Sequence, residues 1–380
     1  MRVLMLSKAL VTGVYQKKVE ELARLPGVEL CLIVPPSWHE NRVGELPLQP
    51  MYTDGYELIV EPMRFNGHHH IHYYPGLGKR IREFRPDIVH IDEEPYNFVT
   101  AHATRLARRA GAKTVFFAWQ NIYRRYPPPF RLLERYNYRA ASAAIVGNRD
   151  AGIVLRRKGY RGPIALIPQF GVDPQIYRPD EKRRRPMDGP VIGYIGRVVE
   201  EKGLDTLLDA LAQVPSRPAL RIVGGGDQRV SLEMRAERLG IRDRVRFEGA
   251  VPPERVPELL NQLDILVLPS RTRPNWKEQF GRILVEAMAT EVAVVGSDSG
   301  EIPNVIGDAG LVFPEGDAAA LAAHLRALIE DPAELRERQQ AGRERVLARF
   351  TQEQIARRTW ELYRHVLGEH AAGDCEDEDG

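Results

Sequence analysis

The residues best suited to chemistry lie between positions 269 and 289. There Pro269-Ser270 is followed by Lys277-Glu278-Gln279-Phe280-Gly281 and then by Glu286-Ala287-Met288-Ala289, with seven residues between the two glutamates. A helix starting near Gly281 puts Glu278 in the loop before its N-terminus and Glu286 in its second turn, so that both face one cleft. Ionised carboxylates accept hydrogen bonds from sugar or ribose hydroxyls, and the amides of Phe280 and Gly281 at the helix start can meet a diphosphate linking such groups. The plainer alternative is a solvated acidic helix face.

Two glycine-rich turns offer anion sites. Gly193-Tyr-Ile-Gly196-Arg197 ends one apolar run, and Lys202-Gly203 opens the helical stretch after it. Backbone N–H groups and a helix dipole favour phosphate in such a turn, where Arg197 can bind bidentately and Lys202 acts as a mobile point charge. The spacing is neither a Walker A loop nor a full G-x-G-x-x-G, and a tight turn with solvated charges is the other reading. Gly224-Gly225-Gly226-Asp227 follows a second apolar run. It therefore falls on the same carboxyl edge of a sheet, where open α/β sheets bind ligands and where glycine admits a ligand close to the backbone.

The elements that must hold these residues come in two sets. Short β-rich runs at 2–7, 30–34, 58–60, 88–91, 114–118 and 144–146 alternate with helical patterns, and a second series follows at 191–195, 220–223, 245–247, 265–268 and 292–295. Such alternation predicts two doubly wound parallel α/β halves. The polar, proline-bearing stretch 178–190 predicts a linker, 318–370 reads as helical with breaks at Asp331-Pro332 and near Phe350-Thr351, and 371–380 reads as a disordered acidic tail. At 380 residues with 43% hydrophobic and 28% charged residues, two ordinary globular domains are expected.

Cys31 and Cys375 are the only cysteines, which excludes a disulfide framework or a cysteine metal site. No apolar run is long enough to span a bilayer, and Lys8 interrupts the apolar N-terminus, so a cytoplasmic protein is expected. Residues 1–186 carry 30 Lys and Arg against 18 Asp and Glu, whereas the remainder carries 24 against 34. A basic half of this kind suits phosphate, nucleic acid or anionic lipid.

With these residues in place, 191–313 resembles the donor domain of retaining glycosyltransferases of family 4. The resemblance runs through Gly193 to Lys202, Pro269-Ser270, Glu278 with Phe280-Gly281, Glu286-Ala-Met-Ala289 and Gly300. The N-terminal half is similar to the same family through Gly13, His90 and Ile167-Pro168-Gln-Phe-Gly171-Val-Asp173. The resemblance implies an α/β protein of the GT-B fold, two doubly wound Rossmann-like domains facing across a cleft. It implies an acceptor-binding domain over 1–177, a linker over 178–190, a nucleotide-sugar donor domain over 191–350 and a helix at 351–370 crossing back to the first domain.

It also implies transfer of a hexosyl unit from a nucleoside diphosphate sugar to a hydroxyl acceptor, with retention, in cell-surface polysaccharide or glycolipid assembly. Arg197 and Lys202 would hold the diphosphate, with Gly196 and Gly225 lining the donor edge. Glu278 would orient the transferred sugar, Glu286 would hold the ribose, and Phe280 and Gly281 would offer their amides. Gly13 would let an N-terminal loop close over the phosphates. Relatives often have glycine at the position of Gln279, a glycine and proline within 289–293, glutamate at Asn304, and a histidine where this chain has Trp119-Gln120-Asn121. His90, Gln120 and the trio Asp92-Glu93-Glu94 are then the polar groups left to serve near the anomeric carbon. Their alternative is a strand-end histidine and a solvated acidic helix start.

No metal and no other cofactor is expected, because the resemblance assigns leaving-group stabilisation to fixed cations and helix amides. His68-His69-His70 and His72 are consecutive or nearly so and point in different directions, and Asp377-Glu-Asp379 lies in the tail, so neither reads as a metal site. The expected partners are a nucleotide-sugar donor and a saccharide, lipid-linked or small-molecule acceptor, with no nucleic acid. Residues 123–136 interleave arginines and aromatics around Pro127-Pro128-Pro129, which suits peripheral contact with the inner membrane face. The alternative is a proline-initiated helix packed on its own domain. Two other classes stay open: a sugar-nucleotide epimerase or phosphorylase on the same fold, and a non-enzymatic binder of anionic ligands.

Overall fold

The computed structural model describes residues 1–40, 44–180 and 189–369. Its chain divides into two compact units, Met1–Phe170 with the C-terminal segment from Gln352, and Gly171–Thr351. The first unit holds β1 (Arg2–Leu6), β2 (Glu29–Val34), β3 (Ser37–Glu40), β4 (Gly44–Pro47), β5 (Glu57–Val60), β6 (Ile88–Ile91), β7 (Lys113–Ala118), β8 (Ala143–Val146) and β9 (Ile164–Leu166). The second holds β10 (Val191–Ile195), β11 (Ala219–Val223), β12 (Val245–Glu248), β13 (Ile265–Leu268), β14 (Ala293–Ser297) and β15 (Leu311–Phe313).

Each unit is built on a parallel sheet, ordered β5-β2-β1-β6-β7-β8-β9 in the first and β12-β11-β10-β13-β14-β15 in the second. Parallel strands need crossover helices, and those helices cover both faces, which is why the strands are nearly continuous apolar runs. Alternation along β1 shows the two faces: Val3 and Met5 belong to one buried cluster, Leu4 and Leu6 to another. In each sheet the chain first winds outward to one side and then returns to wind the other way. The order reverses between β1 and β6 in the first unit and between β10 and β13 in the second. At such a reversal the loops leaving the two adjacent strands diverge and open a crevice at their carboxyl ends.

The strands expected from the sequence are present within a residue or two of their bounds. The three-residue edge strands β9 and β15 and the hairpin β3–β4, which pairs antiparallel, are additions. They are too short to show a period. The division between units falls at Gly171 and not after residue 177, because Val172 and Tyr177 are buried in the second unit's core and the Val172 amide donates to the Phe350 carbonyl at 2.9 Å. Of the expected linker 178–190, residues 181–188 lie outside the described residues, as does the acidic tail 371–380.

The C-terminal stretch forms helices Ala318–Glu330, Pro332–Arg349 and Gln352–Leu367. Asp331 starts the second of these by accepting from the Ala333 and Glu334 amides. The last helix buries Ile355, Ala356, Leu362 and Tyr363 in the first unit, on the Val3 and Met5 face of its sheet. Among the described residues no helix is long and apolar enough to cross a membrane.

Candidate functional site

The second unit gathers four loops at the carboxyl edge of its sheet by bringing backbone against backbone. A Cβ on Gly224 would lie 1.8 Å from the Gly196 carbonyl oxygen, and one on Gly226 would lie 2.0 Å from that of Val198. Gly203, at φ +63°, meets the Pro269 carbonyl oxygen at 2.0 Å, and Gly300, at φ +58°, meets that of Glu278 at 2.0 Å. No side chain fits at these contacts, and the two positive φ values further restrict the last two positions to glycine. Backbone hydrogen bonds close the same joints, from Val198 to Gly225 at 2.8 Å, Arg271 to Glu201 at 2.8 Å and Glu301 to Glu278 at 3.2 Å.

These loops hold a compact charged cluster. The Lys202 ammonium donates to Glu278 Oε2 at 2.5 Å and the Ser270 hydroxyl donates to the same oxygen at 2.9 Å. Both charged side chains are mostly buried. The Trp276 ring lies beside them, its centroid 5.0 Å from Lys202 Nζ. Arg197 is more exposed and pairs with Glu201 at 3.3 Å, while its own carbonyl accepts from the Tyr194 hydroxyl at 2.6 Å. Gly196 continues β10 into this turn, and Gly225 is exposed, with room for a Cβ in ordinary contact with Ala250 at 3.8 Å.

Gly281 sits at φ +76° as the N-cap of helix Arg282–Ala289, which confirms the expected helix start. Phe280 packs on the core with its ring 5.9 Å from that of Phe350, edge to face. Glu286 lies in the second turn, almost wholly buried, with its carboxylate 2.7 Å from Arg282 and bonded by the Tyr177 phenol. Burial raises its pKa, against the pull of Arg282 and the Tyr177 hydrogen bond. Arg197, Lys202 and Glu278 therefore share one edge, and Glu286 stands on the helix that leaves it. Ser270 belongs to the stretch the sequence singled out, whereas Trp276 and Tyr177 are partners the sequence reading did not assign.

The first unit builds a different edge. The Ser7 hydroxyl and the Gln169 amide both donate to Asp92, at 2.6 and 2.9 Å, and Lys18 donates to the Gln169 carbonyl at 2.9 Å. Lys8 pairs with Glu93, whose other oxygen lies 3.4 Å from His72 Nε2. Burial would raise Glu93, but Lys8 and His72 together hold its pKa down to about 2. Glu94 accepts from the Trp119 amide at 2.7 Å, and burial pushes its carboxyl up to about 7 in spite of that bond. His72, which invited a metal reading, serves Glu93 instead. Among the described residues no three His, Cys, Asp or Glu side chains are grouped to share a metal ion.

Three further residues expected to serve the site from this half are held as follows. His90 is the third residue of β6, 3% exposed, with Nδ1 at 2.5 Å from the Tyr363 hydroxyl. Burial pulls its pKa down to about 4, so it is a neutral core histidine and not a strand-end group. Gln120 is half-buried and engaged, donating to the Ile122 carbonyl at 3.0 Å and accepting from Lys158 at 2.8 Å. Gly13 is buried beneath the 49–51 segment, where a Cβ would lie 2.4 Å from Met51 Cγ and 2.6 Å from the Gln49 carbonyl oxygen. That close approach accounts for the glycine.

Comparison with known proteins agrees with this architecture. Residues 14–169 match the family model of the glycosyl transferase 4-like domain, and residues 178–345 match that of glycosyl transferases group 1. The chain is 28% identical over 289 residues to the 2-deoxystreptamine glucosyltransferase of Streptomyces kanamyceticus, covering 72% of this chain and 71% of that protein. It is 33% identical over 187 residues to a GDP-mannose-dependent phosphatidylinositol monomannoside mannosyltransferase of Mycolicibacterium smegmatis, covering 45% and 49%.

Among solved structures, a glycosyltransferase from Rickettsia africae superposes with a TM-score of 0.72 at 18% identity, covering 97% of this chain and 99% of that one. HepE of Anabaena, solved in complex with UDP, superposes with a TM-score of 0.71 at 18% identity, covering 96% and 100%. The chain belongs to the group 1, family 4 glycosyltransferases, enzymes of the GT-B fold.

Proposed function

We propose that the chain moves a hexosyl unit from a nucleoside diphosphate sugar to a hydroxyl of a saccharide, cyclitol or lipid-linked acceptor, with retention at the anomeric carbon. The observation that carries this reading is the Lys202–Glu278–Ser270 cluster at the β10/β13 reversal, walled by glycine-closed loops. An incoming diphosphate takes over the Lys202 ammonium. That frees the Glu278 carboxylate to accept hydrogen bonds from the sugar hydroxyls.

As the bond from anomeric carbon to phosphate oxygen breaks, negative charge grows on the leaving diphosphate, where Lys202 and Arg197 stand to meet it. The acceptor oxygen bonds to the anomeric carbon, and its proton passes to the leaving phosphate. Glu286 holds the ribose through its carboxylate, and no metal is assigned to the step. The relatives named above are a 2-deoxystreptamine glucosyltransferase and a phosphatidylinositol monomannoside mannosyltransferase, which is why cyclitol and lipid-linked acceptors both belong to the proposal.

Titration calorimetry with UDP-glucose, UDP-N-acetylglucosamine, GDP-mannose and ADP-glucose tests the donor assignment. One donor is expected to bind the wild type, and Lys202→Ala and Glu286→Ala each to weaken it by about 1 kcal/mol or more. Binding of none, or indifference to both substitutions, refutes the site.

A lipid-linked acceptor has separate support. Residues 101–170 hold fourteen Lys and Arg against only Glu134 and Asp150. Tyr123, Leu132 and Ile153 are exposed among them, and Arg157 lies over the Tyr123 ring at 5.0 Å. A segment of this composition suits an anionic bilayer surface. Sedimentation with phosphatidylglycerol vesicles but not with phosphatidylcholine vesicles, lost in Leu132→Glu, is the expected result.

A further inference from the structure

Between Ser270 and Glu278 the chain inserts Arg-Thr-Arg-Pro-Asn-Trp-Lys, a segment to which the donor reading gives no task. It is not a loose loop. The Arg273 amide donates to the Trp276 carbonyl at 2.7 Å and the Trp276 amide donates back at 3.2 Å, forming an isolated antiparallel bridge around Pro274-Asn275. Arg273 is tied by an ion pair to Glu200, next to the Lys202 turn, and Thr272 is tied through its amide to Glu315 at 2.6 Å and through its hydroxyl to Ser299 at 3.1 Å. The segment is thus fastened on both sides. Its effect is to hold a half-buried indole 5.0 Å from Lys202 Nζ, which is itself 2.5 Å from Glu278.

We infer that Trp276 is a sugar-recognition residue of the donor site, an aromatic wall against which the transferred pyranose rests while Glu278 accepts its hydroxyl hydrogens. The inference rests on the donor reading given above and goes further by giving the site an apolar surface of its own. A pyranose is amphipathic, with hydroxyls at its rim and C–H groups on its faces. Carboxylates and amides serve the rim, and an aromatic face, negative at its centre, suits the weakly positive C–H groups. A platform held by a closed turn loses little freedom when the sugar arrives, so most of the contact survives as affinity. A tryptophan whose task is only to steady Lys202 makes a different prediction. Its loss weakens diphosphate binding whether or not a sugar is attached.

The experiment is calorimetric titration of the wild type, Trp276→Ala and Trp276→Phe with UDP, GDP and ADP and with UDP-glucose, GDP-mannose and ADP-glucose. For the nucleotide the wild type accepts, Trp276→Ala is expected to raise the Kd of the sugar nucleotide about three- to tenfold, while that of the bare diphosphate moves less than twofold. Trp276→Phe is expected to keep most of the difference. Equal weakening of sugar nucleotide and diphosphate overturns the inference and leaves the donor site standing, as does an unchanged Kd for both. A wild type that binds none of the six overturns the donor reading and the inference with it.

Discussion

The carboxyl edges of the two sheets have the same topology and opposite characters. At the β10/β13 edge, glycines press loop backbones together and leave a few charged groups, Arg197, Lys202 and Glu278, around accessible backbone. At the β1/β6 edge, Ser7, Lys8, Lys18, His72, Asp92, Glu93, Trp119 and Gln169 pair with one another in a mostly buried network, in which His72 Nε2 and Glu93 Oε1 face each other at 3.4 Å without a hydrogen bond. A charge removed from water is tolerated only when it is paired and bonded, so the second kind of edge costs more to assemble and yields less readily to substitution. The comparison teaches that a topological switch point marks where a site is built, while its chemistry depends on how its charges are satisfied.

The contrast is broken most severely at Glu278. Glu278→Gln keeps shape but removes the charge opposite Lys202 and the strongest acceptor for sugar hydroxyls. Turnover is expected to fall about a hundredfold or more, and the melting temperature to drop as well, because the mostly buried Lys202 ammonium loses its counter-ion. Steady-state kinetics beside thermal unfolding checks both halves, and a comparable kcat in the variant denies the carboxylate its role.

Gly203→Ala attacks the same edge through its backbone. The left-handed φ and the Pro269 carbonyl 2.0 Å from the new Cβ together should remove about 2 kcal/mol or more of stability. Urea unfolding followed with donor binding would show whether loop closure and site formation fail together.

The first unit sharpens the comparison through pH. Folded His90 takes its proton only near pH 4, whereas the unfolded side chain does so near 6.5, so its contribution is whole above pH 6.5 and is lost as pH falls toward 4. Glu94 runs the other way. Its folded carboxyl keeps the proton up to about pH 7 against 4.5 when unfolded, so its contribution is whole below 4.5 and lost as pH rises through 7. Between pH 7 and pH 5, His90→Asn should therefore gain about 2 kcal/mol on the wild type, while Glu94→Gln should gain on it toward alkaline pH. Urea titrations at the two pH values test this, and parallel slopes in all three proteins show that neither group is buried in the form described.

The β10/β13 edge was largely legible in the sequence. Gly196, Arg197, Lys202, Glu278, Gly281 and Glu286 lie on loops and helix starts whose glycines and charges sit within short stretches of chain, and local spacing is enough to align them. The partners that complete them were not. Trp276 and Tyr177 reach the site across a turn or from another segment, and nothing in their own neighbourhood distinguishes them from ordinary turn and core residues. In the first half, His90 and Gly13 carried a resemblance, yet their surroundings, Tyr363 above one and Met51 above the other, come from chain distant in sequence.

Hydrophobic periodicity and glycine placement are local consequences of backbone geometry, and so the sequence by itself determined two parallel α/β halves, nearly every central strand and the residues gathered at the β10/β13 edge. Whether a charged or polar residue stands in water, pairs with a counter-ion or is sealed in a core depends on what the fold carries to it from elsewhere. That is why only the tertiary structure decided that His90 is a neutral core residue, that Glu93 and Glu94 titrate in opposite directions from their ordinary values, and that Val172 and Tyr177 belong to the second unit.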